Sequence, residues 1–256
     1  MTQRQFDYDL VVIGGGSGGV RAARMAAGFG ARVALVESHR LGGTCVNVGC
    51  VPKKLLVTGA RYVHAFQDAK GFGWSVDATV DWNRMRTRVL AEVQRLNGIY
   101  GGILDRAQVE QVPGHGVVHG PHEVKVGERT LHAAKILVAT GGRPRRPELP
   151  GAEHAAISDD FFELETLPKR AVLIGGGYIG VEFTSILTQL GVEVHLVHRH
   201  PELLNHFDAD VATHFTEAFG VHPHVHLHLD RSAASIAPGS VTLDDGTTIE
   251  ADFILF

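Results

Sequence analysis

The chain has 256 residues, of which 44% are hydrophobic and 20% are charged, and its formal net charge is -4. This composition is typical of a folded protein of one large or two small domains, and it gives no reason to expect nucleic acid or an anionic membrane as a partner. No apolar run approaches the roughly 20 residues that a membrane helix requires. The polar start, Met1 to Asp9, has no signal-peptide core, so we expect a cytoplasmic protein.

The first predicted element is an apolar strand at residues 10–13, which runs into a Gly-x-Gly-x-x-Gly turn at Gly14, Gly16 and Gly19. A helix-length segment follows, and then a second strand from Val33 to Glu37. This is the pattern of a β-α-β dinucleotide-binding unit, in which the helix N-terminus binds a pyrophosphate. An acidic residue at the end of the second strand suits the ribose hydroxyls, so we predict this role for Glu37.

The only two cysteines, Cys45 and Cys50, lie just after this unit in Gly42-Gly43-Thr44-Cys45-Val46-Asn47-Val48-Gly49-Cys50-Val51-Pro52-Lys53-Lys54. Cytoplasmic thiols are kept reduced, so two of them five positions apart suggest a catalytic or sensing redox pair. Structural core thiols or metal-binding thiols are the alternative, although two cysteines cannot close a structural zinc site by themselves.

The middle of the chain is predicted to be helical and then extended. Residues 71–82 are predicted as a loop between helices, and residues 84–106 as a long, mostly helical stretch. A strand at residues 135–138 then leads into the turn Ala139-Thr140-Gly141.

The strand at residues 171–174 begins a repeat of the first unit, with Gly175, Gly177 and Gly180 each 161 positions after its counterpart. The second strand of this repeat ends at His198 and Arg199 instead of an acidic residue. A carboxylate there would repel a 2′-phosphate, whereas an arginine could clamp one. The repeat is therefore predicted to prefer NADPH over NADH, and a solvated strand-end charge is the alternative for the arginine.

Further along, His222, His224, His226 and His228 alternate with mostly apolar residues. A period of two places all four imidazoles on one face of a predicted strand. Such a row could bind a transition metal. We interpret it as the polar face of an amphipathic strand and predict no metal site.

Over essentially their whole length, these segments resemble the pyridine nucleotide-disulfide oxidoreductases. The cysteine segment resembles their redox-active disulfide, and its end, residues 51–54, favours the glutathione reductase branch. The resemblance implies an α/β fold with two Rossmann-like dinucleotide-binding domains (the FAD/NAD(P)-binding fold). We expect an incomplete FAD-binding domain at residues 1–143 and an NAD(P)H-binding domain at residues 144–256. The strand at residues 252–256 resembles the one before Ala139-Thr140-Gly141, so we expect the C-terminal FAD segment and the interface domain to be absent.

The resemblance also implies roles for individual residues, with FAD and NADPH as the cofactors. Cys45 is the thiol that attacks the substrate, Cys50 is the thiolate nearest the flavin, Lys53 pairs with Glu182 near the flavin, and Tyr178 covers the nicotinamide pocket. The substrate, glutathione disulfide, is expected to contact Ser17, Arg24 and Tyr100. The predicted cofactor-binding residues are Gly14, Gly16, Ser17, Gly18, Gly19, Glu37, Thr44, Cys45, Lys53, Gly116, Thr140, Gly141, Gly175, Gly177, Tyr178, Ile179, Gly180, Glu182 and Arg199.

The implied function is NADPH-dependent reduction of glutathione disulfide by a homodimer. Two departures from the glutathione reductase pattern, Gly180 in place of alanine and Asn205 in place of an arginine, leave an NAD-linked relative such as dihydrolipoyl dehydrogenase open. The expected absence of the C-terminal half, which carries a histidine–glutamate acid/base pair for the partner subunit's site, leaves an inactive nucleotide-binding fragment open. A redox sensor that uses the same cysteines without turnover is a third alternative.

Overall fold

The structure is a computed structural model that describes residues 6–256. Its helices are α1 (Ser17–Gly28), α2 (Gly43–Asn47), α3 (Cys50–Ala60), α4 (Tyr62–Gly71), α5 (Trp82–Arg106), α6 (Tyr178–Gln189) and α7 (Ala209–Gly220), with 3-10 turns at Ala152–His154 and Asp160–Glu163. Its strands are β1 (Tyr8–Ile13), β2 (Val33–Glu37), β3 (Glu110–Pro113), β4 (Gly116–Gly120), β5 (Glu123–Val126), β6 (Arg129–Val138), β7 (Arg170–Ile174), β8 (Glu193–His198), β9 (Val225–Leu229), β10 (Ala233–Ala237), β11 (Ser240–Leu243), β12 (Thr248–Glu250) and β13 (Phe253–Leu255). Across residues 6–256, no helix is both long and apolar enough to span a membrane.

The chain divides into two compact units. Unit 1 comprises residues 6–52 and 88–143, and unit 2 comprises residues 53–87 and 144–256. Residues 53–87 thus belong to unit 2 although they lie between the two parts of unit 1 in the sequence. The domain boundaries expected from the sequence stay a prediction.

Unit 1 is built on a six-stranded sheet of order β3-β2-β1-β6-β5-β4. Strands β3, β2, β1 and β6 are parallel, and β5 and β4 continue the sheet in antiparallel fashion. Because a parallel strand is covered on both faces, β2 is apolar and buried from Val33 to Val36. One face packs against α1 and α5 through Val20 and Leu104, and the core on the other face includes Val124 and Leu131 from the antiparallel part of the same sheet.

Unit 2 contains a four-stranded parallel sheet of order β13-β7-β8-β9 and a three-stranded antiparallel sheet of β10, β11 and β12. The two sheets share one core, in which Val172 and Val197 lie with Val241 and Ile249. Each unit therefore holds one strand–glycine turn–helix–strand repeat, and the predicted α/β fold class is confirmed.

The prediction for the alternating histidines is wrong in part. Strand β9 runs only from Val225 to Leu229, so it contains His226 and His228 but neither His222 nor His224. Those two lie in the turn after α7, which is closed by the Val225 N–H donating to the His222 carbonyl at 3.0 Å. The proline between them has no N–H for a strand ladder, which explains the late start of the strand.

The contact between α1 and the glycine turn that precedes it gives a stability test with a matched control. A Cβ at Gly19 would lie 1.8 Å from the Gly14 carbonyl oxygen, whereas one at Gly18 would meet nothing within 4 Å. We expect Gly19→Ala to lower the free energy of unfolding by about 1–3 kcal/mol, because backbone must move to make room. Gly18→Ala should leave it unchanged or raise it by up to about 1 kcal/mol, since alanine favours a helix. Urea unfolding of the cofactor-free chain measures both, and equal midpoints for the two variants would contradict the expectation.

Candidate functional site

The first glycine turn, residues 14–19, lies between β1 and α1. Gly14 has a φ of 111°, and a Cβ there would lie 2.2 Å from the Ala139 carbonyl oxygen and 3.1 Å from the Thr140 nitrogen. Residues 139–140, which follow β6, are therefore packed against this turn. Helix α1 begins at Ser17 with Gly16 as its N-cap and without a side-chain cap, so its first N–H groups are available to an anion.

Glu37, at the end of β2, fixes the shape of the first glycine turn. Its Oε2 atom accepts the Gly15 N–H at 2.6 Å, and its Oε1 atom accepts the His39 N–H at 2.8 Å. This hydrogen bond joins the end of β2 to the glycine turn. A backbone N–H bonds more strongly to a carboxylate than to a neutral acceptor.

The second glycine turn, residues 175–180, repeats this arrangement with an imidazole. Gly175 has a φ of 126°, and α6 begins at Tyr178 without a side-chain cap. His198 Nδ1 accepts the Gly176 N–H at 3.0 Å, in the position that the Glu37 carboxylate occupies in unit 1. Burial, followed by the charges of His200 and Arg199, lowers the pKa of His198. The ring is therefore neutral near pH 7, as its acceptor role requires.

A cavity of about 270 Å³ lies against the second glycine turn. It is lined by Gly175, Gly177, Tyr178, Ile179, Gly180, Leu255 and other residues of unit 2. Tyr178 is 61% exposed at the start of α6. Arg199 is exposed just after β8, and its Nε atom lies 3.3 Å from His200 Nε2.

The segment that carries the cysteines is held against the first glycine turn. The Gly42 N–H donates to the Gly15 carbonyl at 2.8 Å. A Cβ at Gly43 would lie 2.7 Å from the Gly16 Cα, so the two backbones meet at a distance that only glycine permits. The first glycine turn therefore leads into the N-terminus of α1 and also positions the dithiol.

Two asparagines brace this segment, and the sequence analysis assigned them no role. Asn97 on α5 donates to the Leu41 carbonyl at 2.7 Å and to Asn47 Oδ1 at 2.9 Å. The Asn47 amide in turn donates to the Gly43 carbonyl at 2.9 Å. The signal available in the sequence was a polar residue on the inner side of the amphipathic helix predicted at residues 84–106.

The two thiols are free and lie in contact. Cys45 is a half-buried residue of α2, and Cys50 is the exposed first residue of α3, where the helix dipole favours negative charge. A hydrogen bond to the Cys50 side chain, followed by burial, raises the pKa of Cys45. Cys45 therefore keeps its proton and shares it with the Cys50 sulfur.

The other predicted site residues fall into separate groups. In unit 2, Lys53 Nζ lies 2.6 Å from Glu182 Oε1, beside a cavity of about 230 Å³ between α3, α6 and α7. In unit 1, Ser17 and Arg24 are exposed two turns apart on α1, and Tyr100 packs half-buried against the core under α1.

Of the remaining predicted cofactor-binding residues, Gly116 lies against the carboxyl ends of β1 and β2. A Cβ there would be 3.1 Å from Ile13 Cγ2 and 3.2 Å from Val36 Cγ1. Thr44 and Gly141 are exposed, in α2 and in the turn after β6. The cofactor and substrate roles of all these residues stay predictions.

Comparison with known proteins decides the family. The family model described as pyridine nucleotide-disulphide oxidoreductase matches residues 8–256. The chain belongs to this family. FAD and NADPH are the cofactors that this membership implies.

Among its relatives are three glutathione reductases. That of Nostoc sp. is 46% identical over 218 residues, which cover 85% of this chain and 48% of the relative. That of Burkholderia cepacia is 42% identical over 98% of this chain and 57% of the relative, and that of Schizosaccharomyces pombe is 39% identical over 97% and 57%. The chain thus spans about half the length of these relatives.

Both glycine turns fit a dinucleotide. A Cβ at Gly177 would meet nothing within 4 Å, and the nearest neighbour of one at Gly16 would be the Gly43 Cα at 3.6 Å. The backbone is therefore open where a pyrophosphate approaches an uncapped helix N-terminus. In this family pattern, Glu37 would hold the ribose of FAD, and His198 and Arg199 would face the ribose of the pyridine nucleotide.

The contact between the thiols predicts a shift in the pH dependence of alkylation. The Cys50 side chain is the largest cause that raises the pKa of Cys45, and Cys50→Ala removes it while burial, which raises the pKa, and the backbone N–H at position 50, which lowers it, remain. Because the thiolate is the reacting species, alkylation of Cys45 in the reduced, cofactor-free chain should shift to lower pH. Mass spectrometry of the alkylated peptide over a pH series measures this. Cys50→Ser, which keeps a hydroxyl, should shift it less, and an unchanged profile in Cys50→Ala would rule out the thiol–thiol hydrogen bond.

Proposed function

We propose that this chain carries the dithiol and the cofactor turns of an NADPH-dependent glutathione reductase that uses FAD, acts in the cytoplasm and works as a homodimer. The observation that carries the proposal is the contacting thiol pair, held against the first glycine turn by the Gly42-to-Gly15 hydrogen bond. The glutathione reductases that the chain resembles support the choice of substrate.

The dithiol supplies the chemistry on glutathione disulfide. The Cys45 thiolate attacks one substrate sulfur, the substrate S–S bond breaks, and the first glutathione leaves as a thiolate. The Cys50 thiolate then attacks the Cys45 sulfur, so that the Cys45–Cys50 disulfide forms and the second glutathione leaves. The dithiol is oxidised by two electrons and the substrate is reduced by two.

Attack by Cys45 requires a base, because its raised pKa keeps the thiol protonated near neutral pH. The family resemblance assigns this base to a histidine–glutamate pair of a second subunit. The same resemblance makes Cys50 the thiolate next to the flavin.

Regeneration of the dithiol requires both cofactors. When bound, FAD and NADPH supply the hydride and the electron path that reduce the Cys45–Cys50 disulfide. The ion pair of Lys53 and Glu182 would place a positive charge where reduction makes the flavin more negative. Tyr178, exposed at the cavity beside the second glycine turn, would cover the nicotinamide position.

The anionic carboxylates of glutathione disulfide suit cationic and hydroxyl donors. Ser17 and Arg24 offer both on one exposed face of α1, and Tyr100 adds a phenol from α5. These three residues are the proposed substrate contacts.

The preference for NADPH is supported by the end of β8. His198 replaces the carboxylate that would repel a 2′-phosphate, and the exposed Arg199 follows it. A second candidate, an NADH-linked enzyme like dihydrolipoyl dehydrogenase, is favoured by one observation. A Cβ at Gly180 would lie 2.0 Å from the Gly175 carbonyl oxygen, so the backbone here accommodates the glycine that is typical of NAD-linked relatives.

Removing Arg199 separates the two candidates. Arg199→Ala should weaken NADPH binding by roughly tenfold or more, since it removes a charge-assisted hydrogen bond to the 2′-phosphate, and should leave NADH binding nearly unchanged. Calorimetric titration of both nucleotides measures this. Lys169→Ala is the matched control, because it removes one exposed positive charge next to the amino end of β7, at the other end of the sheet. Equal losses for NADPH and NADH would favour the NADH-linked candidate.

Visible absorption of the FAD-loaded chain tests the roles of the cysteines. After anaerobic reduction with NADPH, a long-wavelength band from the Cys50 thiolate beside oxidised flavin is expected. Cys45→Ser should keep this band and Cys50→Ser should lose it. If the chain takes up no FAD, it is a nucleotide-binding fragment, and if Cys45→Ser alone loses the band, the two roles are reversed.

A further inference from the structure

A cluster of polar side chains at the amino end of β8 belongs to neither glycine turn. Glu193 and His195 are two positions apart, so they project from the same face of the strand. The parallel register places His195 opposite His226 of β9 and Val197 opposite His228. The fold thereby brings a carboxylate and three imidazoles together from two neighbouring strands.

The nitrogen and oxygen atoms of this cluster converge. Glu193 Oε1 lies 3.2 Å from His195 Nε2 and 3.5 Å from His226 Nε2. One ligand atom from each of the three residues lies within 4.8 Å of the others. Around a tetrahedral ion with bonds of about 2.1 Å, neighbouring ligand atoms are about 3.4 Å apart, so the two separations from Glu193 Oε1 already match those of a metal centre.

The surroundings orient these ligands. His195 Nδ1 lies 2.9 Å from His228 Nε2, a hydrogen bond that leaves His195 Nε2 directed at Glu193. The His195 and His226 rings stack with centroids 4.6 Å apart, which aligns them side by side. Arg170 of β7 lies against both carboxylate oxygens of Glu193, with a terminal guanidinium nitrogen 3.4 Å from Oε2 and Nε 3.3 Å from Oε1. Such outer contacts fix the tautomer and the direction of metal ligands.

We propose that Glu193, His195 and His226 bind one divalent transition-metal ion such as Zn²⁺, with His228 as a positioning residue. Two imidazoles and one carboxylate are a ligand set that Zn²⁺ accepts, with a further position for water.

The proposed ion lies away from the pyridine nucleotide. Dinucleotides bind at the carboxyl ends of the strands, and the ligands lie at the start of β8. At about 3.3 Å per residue, the strand separates this end from His198 by roughly 16 Å. Metal binding is therefore independent of the proposed function.

The test is equilibrium dialysis of the cofactor-free chain against Zn²⁺, followed by elemental analysis. Cys45→Ser and Cys50→Ser are introduced first, because a reduced dithiol binds Zn²⁺ by itself. We expect one Zn²⁺ per chain, and visible bands without a sulfur-to-metal transition when Co²⁺ replaces it. His226→Ala, which alters an exposed side chain, and Glu193→Gln should each raise the Kd by more than roughly tenfold, and His228→Ala by about tenfold.

His222→Ala and His224→Ala are the matched controls, because both histidines lie in the turn before β9 and outside the cluster. Both should leave the Kd unchanged. Absence of stoichiometric binding, or binding that His226→Ala and Glu193→Gln leave intact, would overturn the proposal and leave a hydrogen-bonded surface cluster. Circular dichroism of each variant tests whether a loss of Zn²⁺ affinity comes from unfolding.

Discussion

The hydrogen bond from the middle of each glycine turn to the side chain that ends the second strand is the contact on which both cofactor sites depend. In unit 1 the Gly15 N–H donates to Glu37, and in unit 2 the Gly176 N–H donates to His198. Each bond closes a ring of backbone that includes a strand, a turn and a helix start. Without it, the helix N-terminus would have no fixed direction relative to the strand end, and pyrophosphate and ribose could not be recognised together.

In unit 1 the glycine turn also positions the cysteine segment. Because Gly42 and Gly43 approach Gly15 and Gly16 so closely, the position of the turn fixes the position of that segment. Asn97 of α5 donates to Asn47, and Asn47 donates to the Gly43 carbonyl, so α5 also holds that segment in place. The dithiol is therefore held by backbone geometry instead of a flexible loop, which is the fixed placement that the proposed electron transfer requires.

Much of this was predictable from periodicity and glycine spacing. Both β-α-β repeats, the long helix that became α5 and the α/β fold class follow from local patterns that tertiary packing reinforces. The prediction of a strand with four histidines on one face was wrong in part because the alternation was continued through Pro223. Proline has no N–H for the hydrogen-bond ladder of a sheet. The cluster with Glu193 was missed for a different reason. His195 and His226 are neighbours only through the β8–β9 register, and a parallel register is set by the helix between two strands. The position of His198 at the end of the second strand of the repeat could be predicted, since the 161-residue offset aligns it with Glu37.

The replacement of a carboxyl group by an imidazole at the end of β8 gives the two halves of this repeat different responses to acid. A carboxyl oxygen accepts a backbone N–H whether or not the group is protonated, but Nδ1 of an imidazole accepts only without its proton. Since burial lowers the pKa of His198, its bond to Gly176 persists through neutral pH and breaks below the pH at which an imidazole ordinarily takes up a proton. Acidification is therefore expected to loosen the second glycine turn while the first keeps its bond to Glu37, so the same structural contact is proton-sensitive in one copy of the repeat and proton-tolerant in the other.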